Sequence, residues 1–304
     1  MSPVTTRCAL GPRFLVPLIL TLAAGSSACM NYHIIHPREA PRSVVSWAED
    51  RISGQMKIHM EWAHPRGRGP FPSVLVHADA GHTAVEMRGV VWDLASHGYL
   101  AMAADYRRWL HGEYRRNLFA WRDREDGTAA LEILRSHPMV DDTRLATLGF
   151  SQGGVFSLLI AAQAPEIKAV VAYYPVTDFE TWLSAHRPNP IRRLVFSIIG
   201  AHFRRQSGVK SEQEFRELLA RASPLRHAES IRAAVLLVHG ERDTSASIQE
   251  SRRLQARLEE LGRPVKLLEI PDQGHVFNFR NEASASRAWE ATLAWLERHL
   301  RGQS

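Results

Sequence analysis

The sequence predicts an α/β fold, a doubly wound and mostly parallel sheet with helices on both faces. Strand-like and helix-like segments alternate along the chain, which is the order that a parallel sheet with crossover helices requires. Residues 233–238 form a continuous apolar run, and Val265–Ile270 is again strand-like, as expected of strands buried in such a sheet. Together these features predict one layered α/β domain.

The predicted elements follow one another in a regular order. Residues from about 29 to 71 are expected to form a tail and early antiparallel strands, with a turn at Ser53-Gly54. Residues 144–148 predict a strand, residues 155–162 the helix after it, and Ile167–Tyr173 a further strand. Two helices near the C-terminus show apolar stripes, the first before a stop at Gly262: Leu254, Leu258 and Leu261, then Trp289, Leu293, Leu296 and Leu300.

A serine lies at the junction between the strand and the helix in the middle of the chain, in the sequence Gly149-Phe150-Ser151-Gln152-Gly153-Gly154. A Cβ at either glycine two positions from Ser151 would collide with the backbone of a sharp strand-to-helix turn, so small residues are needed there. Such a turn raises the hydroxyl above the sheet edge and directs the first helix amides toward whatever it attacks. Ser151 is therefore a candidate nucleophile.

A serine needs a base, and the base needs an orienting carboxylate. Asp243 follows the strand at 233–238, and His275 follows the strand Val265–Ile270. Because the carboxyl ends of parallel strands meet at one edge of a sheet, Ser151, Asp243 and His275 are expected to converge there.

Alternatives to these assignments remain. Asp243 could instead be the N-cap of a segment that begins near Ala246. Glu241 is its nearest rival as the acid, and Asp272 is a weaker one. Three other histidines, His77, His82 and His239, are expected near the same edge as pocket lining or structural residues. No spacing of His, Cys and carboxylates resembles a metal site, so we predict no metal and no cofactor.

Residues from about 72 to 300 resemble the α/β-hydrolase superfamily, specifically the dienelactone-hydrolase-like and prolyl-oligopeptidase-like catalytic domains. The resemblance lies in seven segments, residues 74–77, 98–99, 104–107, 149–154, 222–225, 238–243 and 274–277. It implies a Ser151–His275–Asp243 triad that hydrolyses an ester, thioester or amide through an acyl-enzyme. Many dienelactone hydrolases carry a cysteine nucleophile. The serine at position 151 therefore argues against the substrate of those enzymes. Residues 150–154 are also similar to acyl-protein thioesterases.

The loop after the strand at 74–77 departs from the pattern of these relatives, which usually carry glycines there. Ala78, Asp79 and Ala80 still possess N–H groups, and the resemblance implies that one of them completes an oxyanion hole with the Gln152 amide. A carboxylate at Asp79 that pointed inward would disfavour the oxyanion. Loss of one such donor typically lowers the rate by about 10²–10³.

The resemblance also implies a helical cap, formed by an insertion at about 178–229. Nearly sixty residues separate the strands at Ile167–Tyr173 and 233–238, more than one crossover needs. We expect the apolar side chains of this insertion to face an acyl group or to pack the cap onto the body. These side chains are Trp182, Leu194, Phe196, Ile198, Ile199 and Phe203. The expected pocket residues are His77, His82, Tyr106, Tyr174 and Trp182.

The N-terminus predicts export. Arg7 and Arg13 precede an apolar run at residues 14–24 that is too short to span a bilayer comfortably, and small residues follow up to Ala28. Residues 1–28 are thus expected to be a signal peptide. Cleavage before Cys29 would resemble bacterial lipoprotein processing, in which that cysteine is lipidated and attaches the protein to a membrane; ordinary cleavage after Ala28 is the alternative. We expect a periplasmic, membrane-anchored or secreted protein.

Length and charge narrow the function classes. After the signal, the remaining length suits one catalytic domain at about 72–304, since about 250 residues can bury a full core. The net charge of +6 comes without any recognised nucleic-acid-binding module, so no nucleic-acid partner is expected. Arginine pairs at 107–108, 115–116, 192–193 and 204–205 could guide an anionic substrate, rest near acidic lipid headgroups, or simply form a solvated face.

The expected function is an exported serine hydrolase that cleaves a small-molecule carboxylic ester. A peptide is the less favoured substrate, because peptidase relatives commonly carry a large N-terminal propeller and too few residues precede this sheet to build one. A serine peptidase or thioesterase is the alternative within enzymes. The fold also serves catalytically silent binding proteins, which is the alternative outside them.

Overall fold

The computed structural model describes residues 31–53, 56–80, 82–105, 120–185 and 189–302. Across these ranges eight strands form one sheet in the order β1-β2-β4-β3-β5-β6-β7-β8. β2 pairs antiparallel with β1 and β4, and every other neighbouring pair is parallel. The strands are β1 (Val44–Ser53), β2 (Met56–Pro65), β3 (Phe71–His77), β4 (Leu100–Ala104), β5 (Val140–Phe150), β6 (Ile167–Tyr173), β7 (Ala234–Gly240) and β8 (Val265–Ile270). The predicted α/β fold with a mostly parallel sheet is confirmed.

Eight α-helices accompany the sheet in the described ranges. They are α1 (Arg88–Ser96), α2 (Ala120–Arg135), α3 (Gln152–Ala161), α4 (Phe179–Ser184), α5 (Pro190–Ser207), α6 (Glu212–Ala222), α7 (Gln249–Glu260) and α8 (Glu282–Leu296). Short 3₁₀ turns occur at Pro224–Ser230 and Phe277–Phe279, and a π-helical turn at Glu297–Arg301 extends α8. Within the same part of the chain, no helix combines the length and apolar character needed to cross a bilayer.

The sheet separates two apolar layers. Val74 and Val76 of β3 face one layer with α1 and α8, and Leu75 between them faces the other layer with α2, α3 and α7. Successive side chains of a strand point to opposite faces, so a strand covered on both sides is apolar at nearly every position. This explains why the central strands appear in the sequence as unbroken apolar runs. The expected turn at Ser53-Gly54 includes Gly54, which lies outside the described residues.

Between β6 and β7 the chain leaves the sheet and forms α4, α5 and α6. Phe196, Ile199 and Phe203 of α5 are buried, and the rings of Phe196 and Phe203 pack on Trp182 of α4. Leu194 instead lies exposed to solvent. These buried side chains therefore pack α5 against α4.

A buried carboxylate anchors the start of this helical segment to the body. Glu250, in the first turn of α7, accepts hydrogen bonds from the backbone N–H groups of Thr177 at 2.9 Å and Asp178 at 2.8 Å. Its other oxygen contacts the guanidinium of Arg253. Asp178 in turn caps α4 by accepting from the N–H groups of Glu180 and Thr181. The two residues before α4, Thr177 and Asp178, are thus attached to α7 through Glu250.

We expect Glu250→Ala to lower the free energy of unfolding by about 3 kcal/mol, because it leaves two buried N–H groups without their acceptor. Urea denaturation monitored by circular dichroism measures this loss. The control is Glu259→Ala, at an exposed position of the same helix, which should stay within about 0.5 kcal/mol of the wild type. Equal effects of the two substitutions would contradict the anchoring role of Glu250.

Candidate active site

Ser151 is the single residue between β5 and α3, and its backbone is strained. Its φ of 52° and ψ of −113° lie outside the regions that a serine ordinarily occupies. The N–H of Ser151 donates to the carbonyl of Tyr173 on β6 at 2.9 Å, and its carbonyl accepts from Val155 at 3.2 Å. Strain of this kind persists only where the surrounding structure holds it in place, and it is concentrated at functional sites.

Two glycines make this turn possible. A Cβ on Gly149 would overlap the backbone of Gly153, and a Cβ on Gly153 would overlap the carbonyl oxygens of His77 and Ala78. The turn after β5 is therefore packed directly against the loop that follows β3. Larger residues at either position would push the serine away from the sheet edge.

The three predicted catalytic side chains form a continuous hydrogen-bonded chain. Ser151 Oγ lies 2.9 Å from Nε2 of His275, and His275 Nδ1 lies 2.6 Å from Oδ2 of Asp243. Ser151 and His275 are partly accessible, whereas Asp243 is buried. The serine hydroxyl can therefore meet a ligand while the carboxylate stays away from water.

Asp243 uses its two carboxylate oxygens differently. Oδ2 accepts from His275, while Oδ1 accepts from the backbone N–H groups of Ser245 at 2.8 Å and Ala246 at 2.9 Å. Burial by itself raises the pKa of Asp243, but the charge of His275 and hydrogen bonds from His239 and His275 lower that pKa well below its usual range. Asp243 thus stays ionised, and it combines a local turn-capping role with its contact to His275.

The two rivals of Asp243 are located elsewhere. Glu241 is exposed, and the carboxylate of Asp272 forms an ion pair with Arg242 at the surface. In the structure it is Asp243 that the fold places against the ring of His275.

Tyr174 supports His275 from beneath. The centroids of the two rings are 4.6 Å apart, and the tyrosine hydroxyl donates to Oδ1 of Asn278 at 2.6 Å. Tyr174 has a φ of 40° and is fully buried. It therefore positions the histidine ring and offers no surface to a pocket.

The other predicted pocket residues have separate environments. His77 is buried at the end of β3, and burial lowers its pKa to about 3, so its ring stays neutral. Trp182 lies in α4, where its indole N–H donates to the carbonyl of Ser245 at 2.7 Å. Tyr106 and Cys29 lie outside the described residues. Of this set, Trp182 links the helical segment to the loop that holds Asp243.

Asp79 and His82 pair within the loop after β3. The carboxylate Oδ1 of Asp79 lies 2.5 Å from Nδ1 of His82, and the ring of Tyr32 packs on His82 with centroids 4.9 Å apart. Burial alone lowers the pKa of His82, but its hydrogen bond to Asp79 and the charges of Asp79 and Glu86 raise that pKa overall. The Asp79 carboxylate is therefore held by His82. Ala78 is buried and Ala80 is exposed on either side of it.

Sequence reasoning missed two contacts of this site. His239 was expected only near the edge, yet its Nε2 lies 3.3 Å from Oδ2 of Asp243. Tyr32 lies in the segment predicted as a tail, where one aromatic residue forms no pattern that would assign it a partner. In the described ranges, no cluster of His, Cys, Asp and Glu could hold a metal ion.

Comparison with known proteins places these features in context. Residues 90–303 match the model of the prolyl oligopeptidase family. The chain is 32% identical over 218 residues to the uncharacterized peptidase YtmA of Bacillus subtilis (strain 168), a match that covers 71% of this chain and 80% of that protein.

Two solved structures share the fold at low sequence identity. The acylaminoacyl peptidase of Pyrococcus horikoshii superposes with a TM-score of 0.70 and 17% identity, over 86% of this chain and 43% of that chain. A Klebsiella pneumoniae subsp. pneumoniae MGH 78578 protein assigned as a dienelactone hydrolase gives a TM-score of 0.64 and 22% identity, over 84% of this chain and 100% of that chain. The chain thus spans less than half of the Pyrococcus peptidase.

We expect His82→Ala to lower kcat on an activated acyl substrate by about tenfold, since the freed Asp79 carboxylate can then turn toward negative charge that develops near the loop. Asp79→Asn in the same background should restore most of the rate, because the amide carries no charge. Steady-state kinetics on the single and double variants measure both effects.

The matched control is His97→Ala, which removes a histidine that also pairs with an aspartate, Asp93, but on α1. Its kcat should equal that of the wild type. A double variant no faster than His82→Ala would show that the charge of Asp79 is not the cause.

Proposed function

This chain belongs to the prolyl oligopeptidase family of α/β-hydrolases, and on that premise we propose that it cleaves a carboxylic ester through an acyl-enzyme on Ser151. The observation that carries the proposal is the hydrogen-bonded chain from Ser151 through His275 to Asp243, with distances of 2.9 Å and 2.6 Å. A serine on a strained turn, joined to a histidine that a buried carboxylate orients, is the arrangement that nucleophilic catalysis by serine requires.

The proposed mechanism uses these three side chains in sequence. Ser151 Oγ attacks the acyl carbonyl while its proton passes to Nε2 of His275, and Asp243 stabilises the charged imidazolium through Nδ1. His275 then gives the proton to the leaving alcohol as the carbon–oxygen bond breaks. A water molecule, deprotonated by His275, attacks the acyl-enzyme, and the carboxylic acid leaves as Ser151 recovers its proton.

The oxyanion formed in both steps is proposed to bind between the turn at Ser151 and the loop after β3. Gln152 is the first residue of α3, so its amide lies at the positive end of the helix dipole. The second donor is proposed to be the amide of Ala78, Asp79 or Ala80. Support comes from Gly153, which packs against the carbonyl of Ala78 and so brings this loop beside the turn.

Two observations bear on ester against peptide substrates. The alignment with the Klebsiella protein assigned as a dienelactone hydrolase includes all of that chain, whereas it includes 43% of the Pyrococcus acylaminoacyl peptidase. The substrate class that the Klebsiella protein's assignment names, a dienelactone, is an ester, and this similarity supports an ester here. The family match and the 32% identity to YtmA support a peptide as the second candidate.

A fluorophosphonate probe tests the nucleophile. We expect one adduct on Ser151 of the purified protein, located by mass spectrometry, and none on Ser151→Ala. Labelled protein then justifies parallel assays on p-nitrophenyl acyl esters and aminoacyl p-nitroanilides, where we expect ester hydrolysis without detectable anilide hydrolysis.

The other outcomes are equally definite. Comparable kcat/KM values on both substrate classes would make the protein a peptidase. A folded protein whose Ser151 resists the probe would overturn the mechanism and favour a catalytically silent binding protein.

We further propose that the protein is exported and that Cys29 carries a lipid, on the sequence features of residues 1–29. The protein from the membrane fraction should then have the mass of residues 29–304 plus the lipid, and Cys29→Ser should abolish that mass. An uncleaved chain confined to the cytosol would contradict export, and a cleaved chain without lipid would contradict lipidation.

A further inference from the structure

A second histidine contacts the catalytic acid, and the proposed mechanism does not use it. His239 lies in β7, four positions before Asp243, and its side chain is fully buried. Its Nε2 lies 2.9 Å from the carbonyl oxygen of Ala246 and 3.3 Å from Oδ2 of Asp243. Its Nδ1 lies 2.7 Å from the hydroxyl of Ser251.

These neighbours assign the tautomer of the ring. Both atoms close to Nε2 are acceptors, a carbonyl and an ionised carboxylate, so Nε2 carries a proton. It donates that proton to the carbonyl of Ala246 at 2.9 Å, with Oδ2 of Asp243 beside it at 3.3 Å. In the neutral ring Nδ1 is then an acceptor, and the Ser251 hydroxyl is the donor beside it. Ser251 belongs to the first turn of α7 and is itself fully buried.

The ring closes the turn that carries the acid. Ala246 donates its N–H to Oδ1 of Asp243, and it accepts from His239 through its carbonyl. His239 therefore touches both the turn and Oδ2, the same oxygen that receives Nδ1–H from His275. With Oδ1 held by the backbone and Oδ2 held by two histidines, the carboxylate has one orientation.

We propose that His239 is a positioning residue for the catalytic acid and that Ser251 holds it in the donating tautomer. The inference rests on the proposed function, since it assigns Asp243 to the triad. His239 acts through Asp243 and His275 and touches no substrate. Its contacts with the turn and with Oδ2 hold the carboxylate so that Oδ2 aims at Nδ1 of His275.

The charged groups around His239 come from three elements. Asp243 follows its own strand, and His275 lies on the loop after β8. Across the sheet, Glu269 of β8 is the register partner of His239 and forms an ion pair with Arg252 of α7. Glu269 is thus already neutralised at the surface, and Asp243 is the anion that His239 serves.

The test compares His239→Leu, which removes the donor, with His239→Gln, whose amide nitrogen can reach the place of Nε2. We expect His239→Leu to lower kcat by about 30-fold with KM within about twofold of the wild type. The acid limb of the kcat/KM pH profile should move to lower pH, because a carboxylate that is no longer aimed at Nδ1 stabilises the His275 imidazolium less. His239→Gln should recover most of the rate and the original profile, and Ser251→Ala should fall between the two.

His36→Leu is the matched control, because it removes another buried histidine that bonds a carboxylate, Asp93, at 2.8 Å on the side of α1. It should lower Tm without moving kcat or the pH profile. A His239→Leu variant that behaves like this control would overturn the inference.

A readout without substrate separates this inference from the proposed function. The Nδ1 proton between His275 and Asp243 is expected to give a downfield NMR resonance, which should shift and broaden in His239→Leu and return in His239→Gln. If the wild type resists the fluorophosphonate probe but the Nδ1 proton resonance changes in His239→Leu and returns in His239→Gln, the proposed function fails and the positioning role stands. An unchanged resonance in His239→Leu contradicts the positioning role itself.

Discussion

One strained residue joins the central strand of the sheet to the helix that follows it. Ser151 can hold a φ of 52° because Gly149 and Gly153 leave room for the backbone to close on itself. Gly153 also lies against the carbonyls of His77 and Ala78, so this turn fixes the position of the loop after β3. The positions of the serine hydroxyl, the first amides of α3 and the Asp79 loop all follow from that one constraint.

The acid at the other end of the site is held as tightly as the serine. Asp243 receives two backbone N–H groups on one oxygen and two histidines on the other, in a buried place where an unsatisfied charge would be costly. Because both oxygens of the carboxylate have polar partners, Asp243 stays ionised and keeps one orientation. The ring of Tyr174 packs on that of His275. Each of the three hydrogen-bonded residues, Ser151, His275 and Asp243, is thus held by neighbours of its own.

The helical segment between β6 and β7 is attached to the same loop. Trp182 donates to the carbonyl of Ser245 and Arg192 donates to that of Thr244, the two residues after Asp243. Glu250 holds the start of the segment on α7, whose first turn also supplies Ser251 to His239. Helix α7 therefore stabilises the acid, its supporting histidine and the entry to α4, α5 and α6 at once.

Local patterns in the sequence were enough to determine the α/β class, most of the strands, and Ser151, Asp243 and His275 as candidates. Each of these residues follows a strand whose apolar run is visible by itself, and parallel topology brings such strand ends together. The sequence could not decide that Tyr174 supports the ring of His275, that His82 holds the Asp79 carboxylate, or that His239 contacts the carboxylate of Asp243. Those contacts join side chains that are far apart in the chain or separated by a turn, and their geometry depends on packing that no local pattern encodes. Only the tertiary structure decided them.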